Sequence, residues 1–135
     1  MLLRSLKTSA YIFSATLFCQ VAQVDIEIQT LAEGFDTPWS IAELPNNNRF
    51  LVTERPGGLH RVSSSGKTDA ISGVPAVFAK RQGGLFVVVL HPDFVTNNTI
   101  FLAYAAASEE SNRTTVARAT LDGIALTELK VIFEV

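Results

Sequence analysis

Short runs of alternating apolar and polar residues make up most of this chain, and clusters of turn-forming residues separate them. Within the segment 24–31, apolar and polar residues alternate from Val24 to Gln29, which is the period of a strand with one buried face. Asparagine, proline and glycine clusters at 45–48 and 56–58 interrupt the pattern and indicate turns. Beyond residue 22 no segment shows the period of an amphipathic helix. The pattern predicts an all-β fold.

The predicted strands are short and recur at regular spacing. The run 85–90 is continuously apolar and rich in valine, which predicts a strand buried on both faces. Residues 105–113 are predicted to form an exposed loop, as are residues 63–67. The complete set of predicted strands is 24–31, 39–44, 49–54, 59–62, 85–90, 100–104, 115–121 and 129–135.

An internal repeat relates the two halves of this pattern. Leu44 and Pro45, two asparagines and then Phe50-Leu51 are echoed by a leucine and proline at 90–92, two asparagines and Phe101-Leu102. Arg61 is echoed by Arg118, which lies 57 positions later. Repeats of about 40 to 50 residues with several strands each are typical of propeller blades. We therefore predict about two blades, with a β-sandwich as the alternative.

The first 22 residues have the order of charge, apolar run and cleavage region found in a secretory signal peptide. Arg4 and Lys7 precede the apolar stretch 10–18, which is shorter than the roughly 20 residues that span a bilayer. A buried N-terminal helix is the alternative. We expect cleavage after Ala22, a mature domain at 23–135 without a transmembrane segment, and secretion to the periplasm. The mature chain would contain no cysteine, because Cys19 is the only one.

Composition excludes several classes of function. The chain is 47% hydrophobic and 18% charged, as expected of a globular protein. Its 11 basic and 13 acidic residues show no basic run, so we expect no nucleic-acid partner. His60 and His91 are far apart in sequence and have no carboxylate cluster at ligand spacing, so the sequence has no metal-binding signature.

Several blocks of the chain, in order, resemble the glucose/sorbosone dehydrogenase family. They cover nearly all of the mature sequence and lie at 34–42, 50–59, 82–85, 90–94, 115–123 and 131–133. The resemblance implies a six-bladed β-propeller that binds pyrroloquinoline quinone (PQQ) and calcium. Such enzymes oxidise the C1 hydroxyl of an aldose sugar to a lactone and pass electrons to an external acceptor.

The resemblance also implies that most of the chemistry lies elsewhere. The family's catalytic histidine, calcium ligands and most cofactor-binding residues belong to later blades, beyond Val135. We therefore expect an N-terminal portion that is inactive alone, and whose open sheet edges and apolar faces favour self-association. Two alternatives remain: a non-catalytic extracellular binding module, and a truncated product without its own function.

Gln82 is the one candidate site residue. By resemblance it matches a glutamine that faces the cofactor and substrate pocket, and a carboxamide can both donate and accept hydrogen bonds. Gly83 and Gly84 behind it would let the backbone approach a ligand closely. At Val87 the family commonly carries an acidic residue, and this departure puts local function in doubt. The alternative for Gln82 is a polar loop residue before a glycine turn.

Four other residues are assigned structural roles. Arg55 could lie near a cofactor carboxylate, but we predict a surface ion pair. His91 is predicted to belong to a turn, and His60 to be exposed on an outer strand. Trp39 is predicted to pack between blades.

Overall fold

The structure, a computed structural model, describes residues 26–45, 48–106 and 113–135. These residues form two four-stranded antiparallel sheets, each ordered as its strands follow one another in the chain. Sheet 1 consists of β1 (Pro38–Leu44), β2 (Arg49–Glu54), β3 (Leu59–Val62) and β4 (Thr68–Ala70). Sheet 2 consists of β5 (Leu85–Leu90), β6 (Thr99–Ala106), β7 (Arg113–Asp122) and β8 (Ala125–Glu134), with the single-turn helix α1 (Phe94–Asn97) between β5 and β6.

Most predicted strands are confirmed, and β2, β3 and β5 have the predicted bounds. The sequence pattern missed β4 and α1, which are three and four residues long and too short to show a period. The predicted loop at 105–113 is wrong at its start, because Ala105 is buried in β6. Residues 107–112 lie outside the described residues.

The strand predicted at 24–31 is wrong for the part that the structure describes. Residues 26–31 form no strand, and the side chains of Ile26 and Ile28 are exposed. Alternation indicates a strand only where a neighbouring strand can pair with its backbone groups, and no described strand pairs with this segment. The predicted signal peptide lies outside the described residues and stays a prediction.

The core lies between the two sheets. Leu51 and Leu59 of sheet 1 face Leu85 and Leu102 of sheet 2, and all four are almost fully buried. Burial of each such leucine contributes roughly 1.5–3 kcal/mol. Ile71, in the connection between the sheets, completes this core.

Each sheet also has an outer face that points away from the other sheet. In sheet 1 the outer face contains the paired residues Ile41 and Val52, because their neighbours Ala42 and Leu51 face sheet 2. In sheet 2 the outer face contains Val89, paired with Phe101. Val87 and Val89 are 39% and 51% exposed, so the prediction that 85–90 is buried on both faces is wrong within the described residues.

Packing corrects the register of the internal repeat. Leu51 and Leu102 face each other across the core, whereas equivalent residues of repeated blades point the same way around the ring. Leu51 therefore matches Phe101. The strand pairing agrees, because Leu51 lies opposite Arg61 in sheet 1 and Phe101 lies opposite Arg118 in sheet 2. The Phe-Leu match in the sequence is one residue out of step, and such a slip moves every side chain to the other face. The match of Arg61 with Arg118 holds.

Hydrogen bonds, in addition to packing in the apolar core, hold the two sheets together. The buried Thr53 hydroxyl donates to the main-chain oxygen of Phe86 at 3.1 Å. In the connection between the sheets, Ser72 N donates to Ile124 O at 2.9 Å and Ser72 O accepts from Leu126 N at 2.8 Å. The connection is thereby fixed to the outer strands of sheet 2.

Candidate functional site

Gln82 lies in the loop 79–84, which precedes β5 and is held at both ends by one residue of β6. Before the loop, Phe78 N donates to Ala105 O at 2.9 Å, and at its end Gly84 O accepts from Ala105 N at 2.9 Å. Inside the loop, Gly83 N donates to Lys80 O at 2.9 Å. We call residues 79–84 the Gln82 loop; its backbone position is set by sheet 2.

Arg55 fixes the same loop to sheet 1. Its main-chain oxygen accepts from Leu85 N at 3.0 Å, and its Nη1 donates to the main-chain oxygen of Arg81 at 2.5 Å. The predicted surface ion pair is therefore wrong, because the guanidinium is used to hold a loop carbonyl. Gly84 makes this approach possible: its φ is 149°, and a Cβ there would overlap with the Arg55 main-chain oxygen.

The Gln82 side chain is exposed, and three cationic residues lie close to it in the fold: Lys80 and Arg81 in the loop and Arg55 beneath it. This arrangement leaves the carboxamide exposed on a loop that carries two cationic residues. Within the described residues nothing encloses Gln82, so these residues alone do not form a pocket that could hold the quinone.

The clefts on sheet 1 have a different character from the Gln82 loop. One, of about 260 Å³, is lined by Pro38, Trp39, Ser40, Ile41 and Val52. It has no charged lining residue and lies beside the outer face of sheet 1. Such a cleft suits an apolar side chain from a neighbouring element rather than an anionic cofactor.

The two histidines have structural partners. His60 is half-buried, against the prediction that it is exposed, because its Nε2 lies 3.0 Å from Glu54 Oε2. His91 belongs to a turn, as predicted, where its Nδ1 accepts from Asp93 N at 3.0 Å and its ring stacks on Phe101. Neither histidine is in the Gln82 loop.

Trp39 contacts both sheets, as predicted. Its ring centroid lies 6.3 Å from that of Phe86 in sheet 2, and 48% of the residue stays exposed. The aromatic pair lies where β1 and β5 approach each other, close to the end of the Gln82 loop. Sequence patterns show aromatic residues at both positions but cannot show that they meet.

Shifted pKa values occur in the sheet framework. Burial raises the pKa of Tyr104, and the negative charge of Glu134 adds to this effect. Hydrogen bonds from Lys67 and then Arg61 lower the pKa of Asp69. Both groups stabilise strands, so these shifts do not point to a general base beside Gln82.

Two further properties concern the described part of the chain. Residues 26–45, 48–106 and 113–135 contain no group of three or more His, Cys, Asp or Glu side chains that could hold a metal ion. In the same residues there is no helix of the length and apolarity needed to cross a membrane.

Comparison with known proteins identifies the family. Residues 35–135, three quarters of the chain, match the family described as Glucose / Sorbosone dehydrogenase. The chain belongs to this family. The resemblance inferred from the sequence blocks is thus confirmed.

Two relatives match most of the length of this glucose/sorbosone dehydrogenase family member. An uncharacterised protein of Synechocystis is 40% identical, over 96% of this chain and 33% of the relative. An aldose sugar dehydrogenase of Escherichia coli is 36% identical, over 89% of this chain and 33% of the relative. The chain spans about a third of the length of these relatives.

Solved structures of the family show the same fold. A glucose dehydrogenase matches 78% of this chain and 32% of its own with a TM-score of 0.75 and 36% identity. The apo-form of the E. coli aldose sugar dehydrogenase matches with a TM-score of 0.74 and 34% sequence identity, over 78% of this chain and 32% of its own chain. The PQQ-bound aldose sugar dehydrogenase of Streptomyces coelicolor matches with a TM-score of 0.71 and 26% sequence identity, over 80% of this chain and 33% of its own chain. The two sheets therefore correspond to part of a sugar dehydrogenase propeller.

The main feature that the sequence analysis missed is the contact between Arg55 and the Gln82 loop. Arg55 follows β2 and Arg81 lies 26 positions later in the loop before β5, so no local pattern relates them. The only signal was the position of Arg55 inside a block that resembles the family. The role of Gln82 itself stays a prediction.

Proposed function

We propose that this chain supplies two neighbouring blades of a periplasmic, PQQ- and calcium-dependent sugar dehydrogenase that oxidises aldoses to lactones for an external electron acceptor. The observation that carries the proposal is the fold match, at 34% identity, with an aldose sugar dehydrogenase of which it covers about a third. A relative with the same fold binds PQQ, which supports the choice of cofactor.

In this proposal the Gln82 loop contributes to the cofactor and sugar pocket, and later blades supply the catalytic base and calcium ligands. The exposed carboxamide and the neighbouring Arg55, Lys80 and Arg81 support this role, because positive charge favours an anionic quinone. The chain alone is expected to reduce no dye, since the residues that the structure describes form no enclosed pocket at Gln82.

A chimera tests the proposal. Residues 26–135 replace the matching third of the E. coli aldose sugar dehydrogenase, and aldose-dependent dye reduction is measured with PQQ and calcium. We expect activity that requires both additions. A chimera that folds, as judged by far-UV circular dichroism and a cooperative melt, but reduces no dye with any aldose would count against the proposal.

Gln82→Ala in the active chimera tests the site. We expect kcat/KM for the aldose to fall by about tenfold or more, as for the loss of a hydrogen bond made by a pocket side chain. Gln29→Ala is the matched control, because Gln29 is an exposed glutamine outside both sheets. Equal kinetics for the two variants would remove Gln82 from the pocket.

A further inference from the structure

The tip of the Gln82 loop is a tight turn with an unfavourable backbone conformation. Residues 80–83 form this turn, which the bond from Gly83 N to Lys80 O closes. Arg81 occupies its second position with a φ of 55°, in the left-handed region that glycine adopts readily and a long side chain seldom does. A conformation of this kind persists only where the surrounding contacts hold it.

Arg55 supplies a contact that holds Arg81 in this conformation. The Arg55 guanidinium donates to the Arg81 main-chain oxygen through Nη1. That oxygen belongs to the planar peptide unit that joins Arg81 to Gln82, so its orientation fixes the direction in which the backbone enters Gln82. The guanidinium therefore acts on the peptide unit directly before the residue that carries the carboxamide.

The main chain of Arg55 is itself fixed, so its side chain starts from a defined position. Arg55 N donates to Thr37 O and Arg55 O accepts from Leu85 N, both at 3.0 Å. Pro56 follows and disfavours helical backbone angles at Arg55. The stem of the side chain lies against Gly84, because a Cβ at Gly84 would also overlap with Arg55 Cγ. Arg55 thus connects the tip of the loop to the end of β2.

We propose that Arg55 is a positioning residue for Gln82: it holds the strained turn at Arg81 and thereby fixes where the carboxamide meets its ligand. Arg55 acts through the loop and not as a group that contacts the ligand. The effect on catalysis rests on the proposed function, because it requires that Gln82 line the pocket of a sugar dehydrogenase. The hold on the loop does not depend on that function.

Attraction of an anionic ligand by charge is the alternative role for Arg55. The two roles differ in how they depend on Gln82. A residue that positions Gln82 loses its effect on the reaction once the carboxamide is removed, whereas attraction by charge acts whether or not the carboxamide is present. A double-mutant cycle between Arg55 and Gln82 therefore separates the two roles.

Trypsin measures the hold on the loop without any enzymatic activity, because it cleaves after Lys80 and Arg81. In the full chain we expect Arg55→Ala to raise the initial rate of cleavage in the loop about tenfold, as for the loss of a charged hydrogen bond that keeps a segment closed. The substitution removes no competing site, since trypsin cuts poorly before a proline such as Pro56. Mass spectrometry of the fragments gives the rates, and an unchanged rate overturns the proposal.

Arg61→Ala is the matched control for this measurement. Arg61 Nη1 also donates to a main-chain oxygen, that of Gly123 at 3.0 Å, but at the turn between β7 and β8 rather than at the Gln82 loop. Arg61→Ala should leave the rate of cleavage after Lys80 and Arg81 unchanged. A rise equal to that caused by Arg55→Ala would mean that any loosening of the two sheets exposes the loop, and would refute a specific role for Arg55.

Kinetics of the active chimera test the effect on the reaction. We expect Arg55→Ala and Gln82→Ala each to lower kcat/KM for the aldose about tenfold, and the double variant to lower it about tenfold rather than about a hundredfold. Losses that multiply overturn the positioning role and indicate attraction by charge. Arg61→Ala should leave kcat/KM unchanged. An inactive chimera counts against the proposed function alone, because the trypsin rates still decide whether Arg55 holds the loop.

Discussion

Two buried threonines of this chain have opposite hydrogen-bonding states. The Thr53 hydroxyl accepts from Ser40 N at 3.0 Å and donates to Phe86 O, whereas Thr115 Oγ1 is buried without a partner. Thr53→Val should lower the free energy of unfolding by about 1–3 kcal/mol, because two main-chain groups lose their partner. Thr115→Val should be neutral or stabilising, since it removes an unsatisfied group. Urea unfolding of both variants checks this; equal losses would contradict it.

Asp69 gives the fold a pH dependence at the scale of one residue. Its pKa lies below the usual 3.8, first because Lys67 hydrogen-bonds to it and then because Arg61 does. A lowered pKa in the folded state means that the stabilisation is present above the unfolded pKa and is lost as the pH falls through the folded value. We expect the urea concentration at the unfolding midpoint to decrease as the pH is lowered below about 4, and Asp69→Asn to reduce this decrease. Asp122→Asn, at the exposed end of β7, should keep the pH profile of the unmodified chain.

At the scale of elements, the Gln82 loop depends on close contact between backbone segments. Gly84→Ala should destabilise the fold by about 1–3 kcal/mol, because a Cβ overlaps with Arg55 O and the φ is unfavourable. Gly123→Ala is the control, since Gly123 also has a positive φ but open space around it. Thermal melts should show the larger loss for Gly84→Ala; equal losses would mean that the overlap is relieved.

The elements also show what local sequence can and cannot specify. The bounds of β2, β3 and β5 were predictable because apolar runs end at clear turn residues. The strand expected at 24–31 is absent from its described part, 26–31, because pairing depends on a partner strand, which the local pattern does not contain. Gln82 could be singled out only through family resemblance, and its anchoring by Arg55 depends on a contact between sheets.

At the scale of the whole molecule, the all-β class and the division into two sheets followed from turn spacing and the internal repeat. The register of the repeat did not follow from these signals. Phe50-Leu51 and Phe101-Leu102 have the same sequence, but their side chains face opposite ways around the core. Only the packing of Leu51 against sheet 2 shows which residues are equivalent. The same correction assigns Val89 and Phe101 to the outer face of sheet 2.

The connection between the sheets has a mechanical consequence. It is bonded at Ser72 to the outer strands of sheet 2 and at Phe78 to the end of β6. A hinge opening between the sheets would have to break these bonds as well as the Arg61 contact with Gly123. We therefore expect the two sheets to move together, which would keep the exposed carboxamide of Gln82 at a constant distance from sheet 1.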